Sequence, residues 1–485
     1  MTNVLRRFAF VLFALISLPA LADPPTRVGR ISLTEGAASL RHGDNPQWLP
    51  APLNYPVIQG DSLWVDHGSR AEIQVGGAEL RLGSTTLVTI LRMDDAATVI
   101  RVDQGVANLY VRFIGAPLQL VTAVGALDVR EPGDYHVDSG RPDGPPTQIV
   151  MGTLQGVARF SGLRGEVELH SGQGAMVPPD QSTMSVVGLA PTPFDQWCED
   201  RAMAQAMAQS TQFVSEEVVG IEDLDAYGRW EMVPGYGMVW FPSQVEIGWA
   251  PYRYGQWAFV EPWGWTWIDE APWGFAPFHY GRWASFEGRW CWIPGERHEH
   301  QVYAPALVTF IGGHPGEGGD VRWIPLGPHE HFHPYYRASD AYERNLNHPH
   351  GADQAKGATA SFANQHAVSG VSAGTFTGGQ AVHRNLAPPQ AAQPGAPALN
   401  NLNHLQPQPA QPAQPTTPAA QPGFHPQAVP PATTQAPAAQ PGFHPQAAPA
   451  APQQQQTQRY NPPPVVQQQH AAPTEHEKDK DKDRR

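Results

Sequence analysis

Three groups of residues in this chain have side chains and spacings that suggest chemistry. His298-Glu-His300 and His329-Glu-His-Phe-His333 concentrate imidazoles. On an extended segment His329, His331 and His333 share one face, and imidazole is the commonest ligand for zinc or copper. The spacing is not His-Glu-x-x-His and no carboxylate is fixed by a motif, so exposed loops are expected and no metal is assigned. Glu261, Asp269 and Glu270 lie among tryptophans, and paired carboxylates flanked by rings are what a glycosidase needs. Asp-Glu before Ala-Pro is equally a turn, and no spacing sets two carboxyl groups face to face. Gly370-Val-Ser-Ala-Gly374 matches the nucleophile-elbow pattern but falls in a Ser/Gly-rich stretch without strand-turn-helix context, which makes it a chance match. No catalytic residue and no cofactor is assigned, and a non-enzymatic chain is expected.

Tryptophan gives the clearest pattern. Eleven of the 15 fall between Trp230 and Trp292, and they recur. Tyr227-Gly-Arg-Trp230, Tyr254-Gly-Gln-Trp257 and Tyr280-Gly-Arg-Trp283 are offset by 27 and 26 residues. A fixed period in this range marks a repeat in which each unit buries its face against the next. Each unit reads as two short aromatic strands joined by a Gly/Pro turn, so stacked hairpins or a small repeated sheet array are expected. One Trp buries about 150–250 Å², so such short units can build a core from few side chains. The competing reading is a row of exposed rings that stack on sugars or bases. Burial is favoured, because large aromatics are mostly inside. Trp263 and Trp273, each preceding a glycine, are the candidates for open binding rings. Trp257 and Trp283 complete the aromatic set, and Arg229 and Arg282 beside the repeated tryptophans are placed to stack on neighbouring rings.

The elements that must hold these residues are mainly β. From 27 to 178 the chain shows short alternating runs broken by glycine, such as Ala71–Val75, Glu79–Leu82, Asn108–Arg112, Tyr135–Val137 and Val157–Phe160. Period-2 alternation is the half-buried strand signal, and Gly76-Gly77 sits where a hairpin turn belongs. A dozen such strands without a helix-length pattern predict a sandwich or stacked-β architecture. Gly60-Asp61 reads as a turn in which Asp caps its own backbone. A connecting helix is expected over 193–215, Ala/Met/Gln-rich behind Pro193, with Trp197, Ala204 and Met207 on the docking face and Met203 alongside. Cys198 and Cys291 are the two cysteines. In an oxidising compartment they are candidates for one bridge between this helix and the third repeat.

The same residues resemble a known family. Gly60-Asp61-Ser-Leu63, Ser69–Val75, Leu80-Arg-Leu82, Gly105–Leu109, Gly133–Val137 and Gly172–Val177 follow the pattern of the FecR domain. The resemblance implies a periplasmic, all-β interaction domain; the namesake regulators add a membrane-spanning helix and a cytoplasmic anti-sigma segment that this chain lacks. Residues 216–345, through Trp323-Ile-Pro-Leu-Gly-Pro328, Pro334-Tyr-Tyr-Arg337 and Tyr342-Glu-Arg-Asn345, look like an uncharacterised Trp/Tyr-rich module. That module follows FecR domains in secreted Gram-negative proteins, and it implies architecture and location without chemistry.

Length and composition bound the rest. The chain has 485 residues, 16% charged, with 47 glycines and 51 prolines. That excludes a coiled coil and a polytopic membrane protein. A net charge of −14 argues against binding nucleic acid, which needs a basic surface. Residues 1–22 read as a signal peptide: Arg6-Arg7, an apolar run from Phe8 to Leu18 and the Ala20-Leu-Ala22 cleavage site. No later stretch reaches spanning length. Residues 346–387 form an extension whose order is left open. Residues 388–485 form a Pro/Gln/Ala-rich tail, with 22 prolines and a repeated Gln-Pro-Gly-Phe-His-Pro-Gln-Ala at 421 and 440, whose composition predicts disorder. The expectation is a periplasmic or secreted interaction protein of the cell envelope, with an envelope protein or polysaccharide as partner. A glycan-binding module that uses exposed tryptophans is the alternative, and a hydrolase stands third.

Overall fold

The computed structural model describes residues 23–43, 45–140, 149–311, 319–348 and 362–388, together with 402 and 405. The expected signal segment 1–22, residues 349–361 of the extension and nearly all of the tail lie outside the described residues. The described chain is mainly β. No helix among the described residues is long and apolar enough to cross a membrane.

The first eighteen strands build two nine-stranded sheets. One holds Gly29–Glu35, Arg70–Val75, Ala78–Leu82, Val106–Val111 and Gly133–Asp138 at its centre. The other holds Ser62–Val65, Thr86–Met93, Thr98–Gln104 and Leu118–Thr122. The sheets pack face to face over Ile73, Leu80, Leu109, Ile90, Ile100 and Leu120, all essentially inaccessible. Neighbours are antiparallel except Thr98–Gln104, which runs parallel to Leu118–Thr122. Gly76-Gly77 joins Arg70–Val75 to Ala78–Leu82 as the alternation predicts. Gly60 takes φ +94°, and Asp61 Oδ2 accepts from the Ile58 N–H at 3.0 Å, so this pair is the self-capped turn. The sandwich runs on through Ser185–Gly188, ten residues past the expected end.

The two sheets differ on their outer faces. The second alternates buried and half-exposed positions and is wet outside. The first is buried on both sides, with Ala78–Leu82 covered at every position. Its cover is the connecting helix, Pro193–Ala206. Thr192 and Asp195 form a capping box at its start: the Thr192 hydroxyl accepts from Asp195 N–H, and the Asp195 carboxylate accepts from Thr192 N–H at 2.8 Å. The helix ends at Ala206, short of the expected 215. A single 3-10 turn, Gln209–Gln212, follows, held by Asp225, which accepts from Ser210 Oγ at 2.5 Å. The docking stripe is also not the expected one. Met203 is 52% and Met207 84% exposed, and the buried positions are Asp195, Cys198 and Ala202. A sheet face lined with charge selects polar side chains from the helix above it.

Beyond the helix the three repeats form three hairpins: Gly228–Val233 with Gly237–Pro242, Gly255–Val260 with Gly264–Asp269, and Arg282–Phe286 with Arg289–Ile293. They do not stack in chain order. The first and third share a four-stranded sheet through Trp240 opposite Trp292, while the second stands as its own two-stranded ribbon. Val308–Ile311, Asp320–Pro325 and Ser369–Ser372 add a three-stranded sheet, so residues from the extension complete this body. Leu402 and Leu405 are buried against it, and the Leu405 carbonyl accepts from Trp265 Nε1 at 3.1 Å. The tail therefore touches the folded body at least that far, beyond the expected boundary at 388.

Candidate functional site

The seam between the sandwich and the aromatic body is built on the register of the first sheet. Glu72 lies opposite Arg81, Arg81 opposite Asn108, and Asn108 opposite His136. A parallel row sets Arg30 against Gln74, Gln74 against Glu79, and Glu79 against Tyr110. Glu72, Glu79, Arg81 and Asn108 are buried, so each needs a partner. The connecting helix supplies several. Arg201 Nε and NH2 donate to the two oxygens of Glu72 at 3.0 and 2.8 Å, beside the 2.8 Å bond from Arg81. Gln205 Oε1 accepts from Arg81 at 2.7 Å. Asp195 Oδ1 lies 2.8 Å from His136 Nδ1. Past the helix, Glu222 pairs with Arg112 at 2.6 Å, and Asp223 pairs with Arg30.

Charge follows this geometry. Burial pushes the Glu72 carboxyl up, but the hydrogen bond and charge of Arg201, with the charge of Arg81, outweigh it and hold the group down at about 2. Burial likewise opposes ionisation of Asp195, and His136 and Thr192 outweigh it, again to about 2. Glu79 is the opposite case: desolvation dominates Arg112, and its carboxyl is pushed up to about 8. Asn54 ties the two bodies together from the sandwich side, donating to the carbonyls of Asp269 and Ala271 at 3.1 and 2.7 Å.

Of the twelve tryptophans in the aromatic body nine are buried, and Trp230, Trp249 and Trp290 are half-buried. Trp257 and Trp283 are 1% exposed. Trp263 and Trp273, expected to present open faces, are also inside, at 1% and 3%. The glycine after each does not open the ring, because Trp263 packs on Tyr303 and Trp273 on Trp240 and Phe278. The indole N–H of Trp283 donates to the Pro277 carbonyl at 2.8 Å, and that of Trp240 to Leu224 at 3.0 Å. Arg282 is buried and does not act as a stacking cation. It donates to the Glu330 and Gly281 carbonyls and to Asn347 Oδ1, and desolvation lowers it to about 10. Arg229 is exposed and pairs with Glu231.

The Tyr-Gly-x-Trp repeat acquires a physical meaning here. Each hairpin carries a cross-strand tryptophan pair: Trp230 with Trp240, Trp257 with Trp267, Trp283 with Trp292. The second indole of each pair folds over the glycine two residues before the first. A Cβ on Gly255 would lie 2.7 Å from Trp267 Cζ2, and Gly228 and Gly281 are covered by Trp240 and Trp292 in the same way. Glycine is therefore required where the ring lies on backbone.

The other candidates resolve one by one. Asp269 is buried, accepting from Trp267 Nε1 and Ala271 N–H at 3.0 Å each, and desolvation pushes it up to about 8. Glu261 follows the turn end of the same hairpin, whereas Asp269 closes its open end opposite Gly255. Five residues of strand separate them by roughly 16 Å, too far for a glycosidase pair. Glu270 is exposed, 3.6 Å from His383. Ser372 does sit between a strand and a helix, Ser369–Ser372 and Ala373–Thr377, contrary to expectation. Its backbone is unstrained at φ −59°, and its hydroxyl caps the helix by accepting from Thr375 N–H. Cys198 and Cys291 are both free and buried. Cys198 lies under the connecting helix, and Cys291 lies in a separate cluster with Val233, Val239 and Phe241. His300 Nδ1 lies 2.8 Å from Glu217. His331 and His333 converge on Glu343, a residue the sequence patterns did not single out as a ligand.

Residues 221–330 match the model of a family described as "Family of unknown function (DUF6600)". No curated protein matches the chain. Two crystal structures of a "putative anti-sigma factor" from Parabacteroides distasonis ATCC 8503 are similar to it. One is 14% identical, with a TM-score of 0.26, over 28% of this chain and 64% of that one, which is under two thirds of its length. The other is 13% identical, with a TM-score of 0.24, over 38% of this chain and 99% of that one. The stretch that holds the three tryptophan hairpins is thus similar to a family whose description names no activity.

Proposed function

We propose that this chain is an exported, non-enzymatic cell-envelope protein that binds a protein partner through the outer surface of a joined sandwich and aromatic body. The observation that carries this reading is the burial of the tryptophans. A stacking platform for sugar needs open ring faces, and here the indoles form a mutually packed core, with the N–H groups of Trp240, Trp265, Trp283, Trp292 and Trp323 on backbone carbonyls. The module is then a scaffold, and the sealed polar seam makes the sandwich part of it. The FecR-like motifs support an extracytoplasmic interaction role. Export is supported by the signal-peptide pattern of residues 1–22 and by Asp23, the expected first mature residue. Its carboxylate accepts from both the N–H and the hydroxyl of Ser339 at 2.7 Å.

The test has two arms. Crosslinking in intact cells, with the full chain and with a chain ending at Pro388, is expected to give discrete protein adducts at the periplasmic face. Retention of the purified mature chain on peptidoglycan or polysaccharide is expected at background. Strong glycan retention without protein adducts would replace this reading with the lectin-like one, and an unprocessed Met1 terminus by mass spectrometry would remove export.

A further inference from the structure

Two imidazoles and a carboxylate meet at the surface where the segment 327–333 crosses the helix Asp340–Asn347. His331 Nε2 is 2.9 Å and His333 Nδ1 2.7 Å from one oxygen, Glu343 Oε1. The ligand-capable atoms of all three residues lie within 4.8 Å of one another, and the two rings are 4.5 Å apart, centroid to centroid. We propose that His331, His333 and Glu343 bind one divalent ion of the zinc class, leaving a fourth position open to solvent.

The arrangement is held from below. Phe332, between the two histidines, is fully buried, so its neighbours turn together to the opposite side. Asn347 fixes that segment: its Oδ1 accepts from Phe332 N–H at 2.7 Å, and its Nδ2 donates to the Phe332 carbonyl at 3.0 Å. Arg282 donates to the same Oδ1 at 3.1 Å. Asn347 lies one helical turn after Glu343, so the residue that pins the histidine segment and the residue that supplies the carboxylate share a helix face. Asn347 Nδ2 is also 3.2 Å from His331 Nε2, a contact that gives way when that nitrogen takes the ion, while the two bonds from Asn347 to the Phe332 backbone keep the segment in place.

Donor chemistry and spacing select the ion. Neutral imidazole and carboxylate together suit zinc, copper or nickel better than magnesium or calcium, which take oxygen alone. Zinc bonds of about 2.0–2.2 Å in a tetrahedron set ligand atoms about 3.4 Å apart. Seating an ion therefore lengthens the contacts to Glu343 from 2.9 and 2.7 Å to about 3.4 Å, within reach of side-chain rotation. Three protein ligands leave one position for water. The His333 side chain is 57% exposed, so that position has a path to solution.

The experiment is zinc titration of the full mature chain against a chromogenic chelator, with cobalt(II) absorption as a second readout. One tight ion per chain is expected. His333→Ala and Glu343→Gln should each weaken it at least about tenfold, the lower end of what even outer-shell losses cause, and abolish the cobalt spectrum. His333 is exposed, so the apo melting curve of H333A should match the parent, which separates ligand loss from unfolding. His300→Ala, at the other histidine loop, should leave the tight ion in place. The proposal is overturned if the parent takes up no stoichiometric ion, if H333A and E343Q bind as the parent does, or if only H300A loses the ion.

Discussion

Arg201 grips Glu72 with a two-pronged guanidinium, Nε to Oε2 at 3.0 Å and NH2 to Oε1 at 2.8 Å. The connecting helix is thereby riveted to the centre of a sheet whose outer face would otherwise meet water. Glu72 is wholly buried and also holds Arg81, so the pair is the keystone of the polar seam.

Removing one partner of such a group leaves a buried charge undercompensated, at a cost of about 3–5 kcal/mol when both partners are inside. Arg201 is 29% exposed at its side chain, so Arg201→Ala is expected to cost about 2–3 kcal/mol. Urea melts followed by tryptophan fluorescence check this. A loss under about 0.5 kcal/mol, typical of a surface substitution, would show that the helix is not anchored there.

Stability should pass through a maximum in mildly acidic solution. Glu72 and Asp195 have folded pKa values depressed to about 2. They bind fewer protons in the folded state, so their contribution is present above the unfolded carboxylate range and is lost as pH falls toward 2. Glu79 and Asp269 are raised to about 8. Their contribution is complete below the unfolded range, near 4, and is lost as pH rises through 8. Melting temperature against pH should therefore fall on both sides of roughly pH 4–5. Glu79→Gln should flatten the alkaline limb, and an unchanged limb would contradict the assignment.

Much of this was legible in the chain, and the misses share a cause. The strands around Ile73, Leu80 and Leu109 and the three hairpins follow from alternation and the Tyr-Gly-x-Trp period. The burial of Glu72, Gln74, Glu79 and Arg81 does not. A polar residue at every second position reads as a wetted face, and alternation cannot distinguish water from a charged helix laid across it. The same blindness misplaced the docking stripe of that helix, whose apolar Met203 and Met207 face solvent. Trp263 and Trp273 carry no legible sign of burial, because a following glycine says nothing of rings arriving from Tyr303 or Trp240. Glu343 carries no ligand signal in the sequence, because it lies ten positions after His333 and only the fold, with Asn347 pinning the two segments together, returns it to the histidines.

The repeat glycines can be tested directly. Gly255→Ala places a methyl group hard against the Ile268 carbonyl oxygen and 2.7 Å from Trp267 and should cost about 1–3 kcal/mol through overpacking. Gly188, with nothing near its would-be Cβ, supplies the control, and Gly188→Ala should change stability by less than about 0.5 kcal/mol. Equal melts for the two variants would remove the close-approach explanation of the repeat.

The thiols give an independent check on the packing. Burial raises both, Cys291 to about 11 and Cys198 beyond it, and a thiol reacts as thiolate. Alkylation without reductant should label neither quickly in the folded protein and both once it is denatured. Failure to label after denaturation would reveal the bridge that the separate locations of Cys198 and Cys291 exclude.

The central claim is that the tryptophans form a core and not a stacking platform, and Trp263→Ala and Trp273→Ala test it most directly. Melting curves and retention on peptidoglycan or polysaccharide are measured for both variants and the parent. The account predicts losses of about 3–5 kcal/mol in stability for each, the range for large aromatic truncations in cores, with retention at background throughout. Variants that melt like the parent, yet lose a retention the parent possesses, would contradict it.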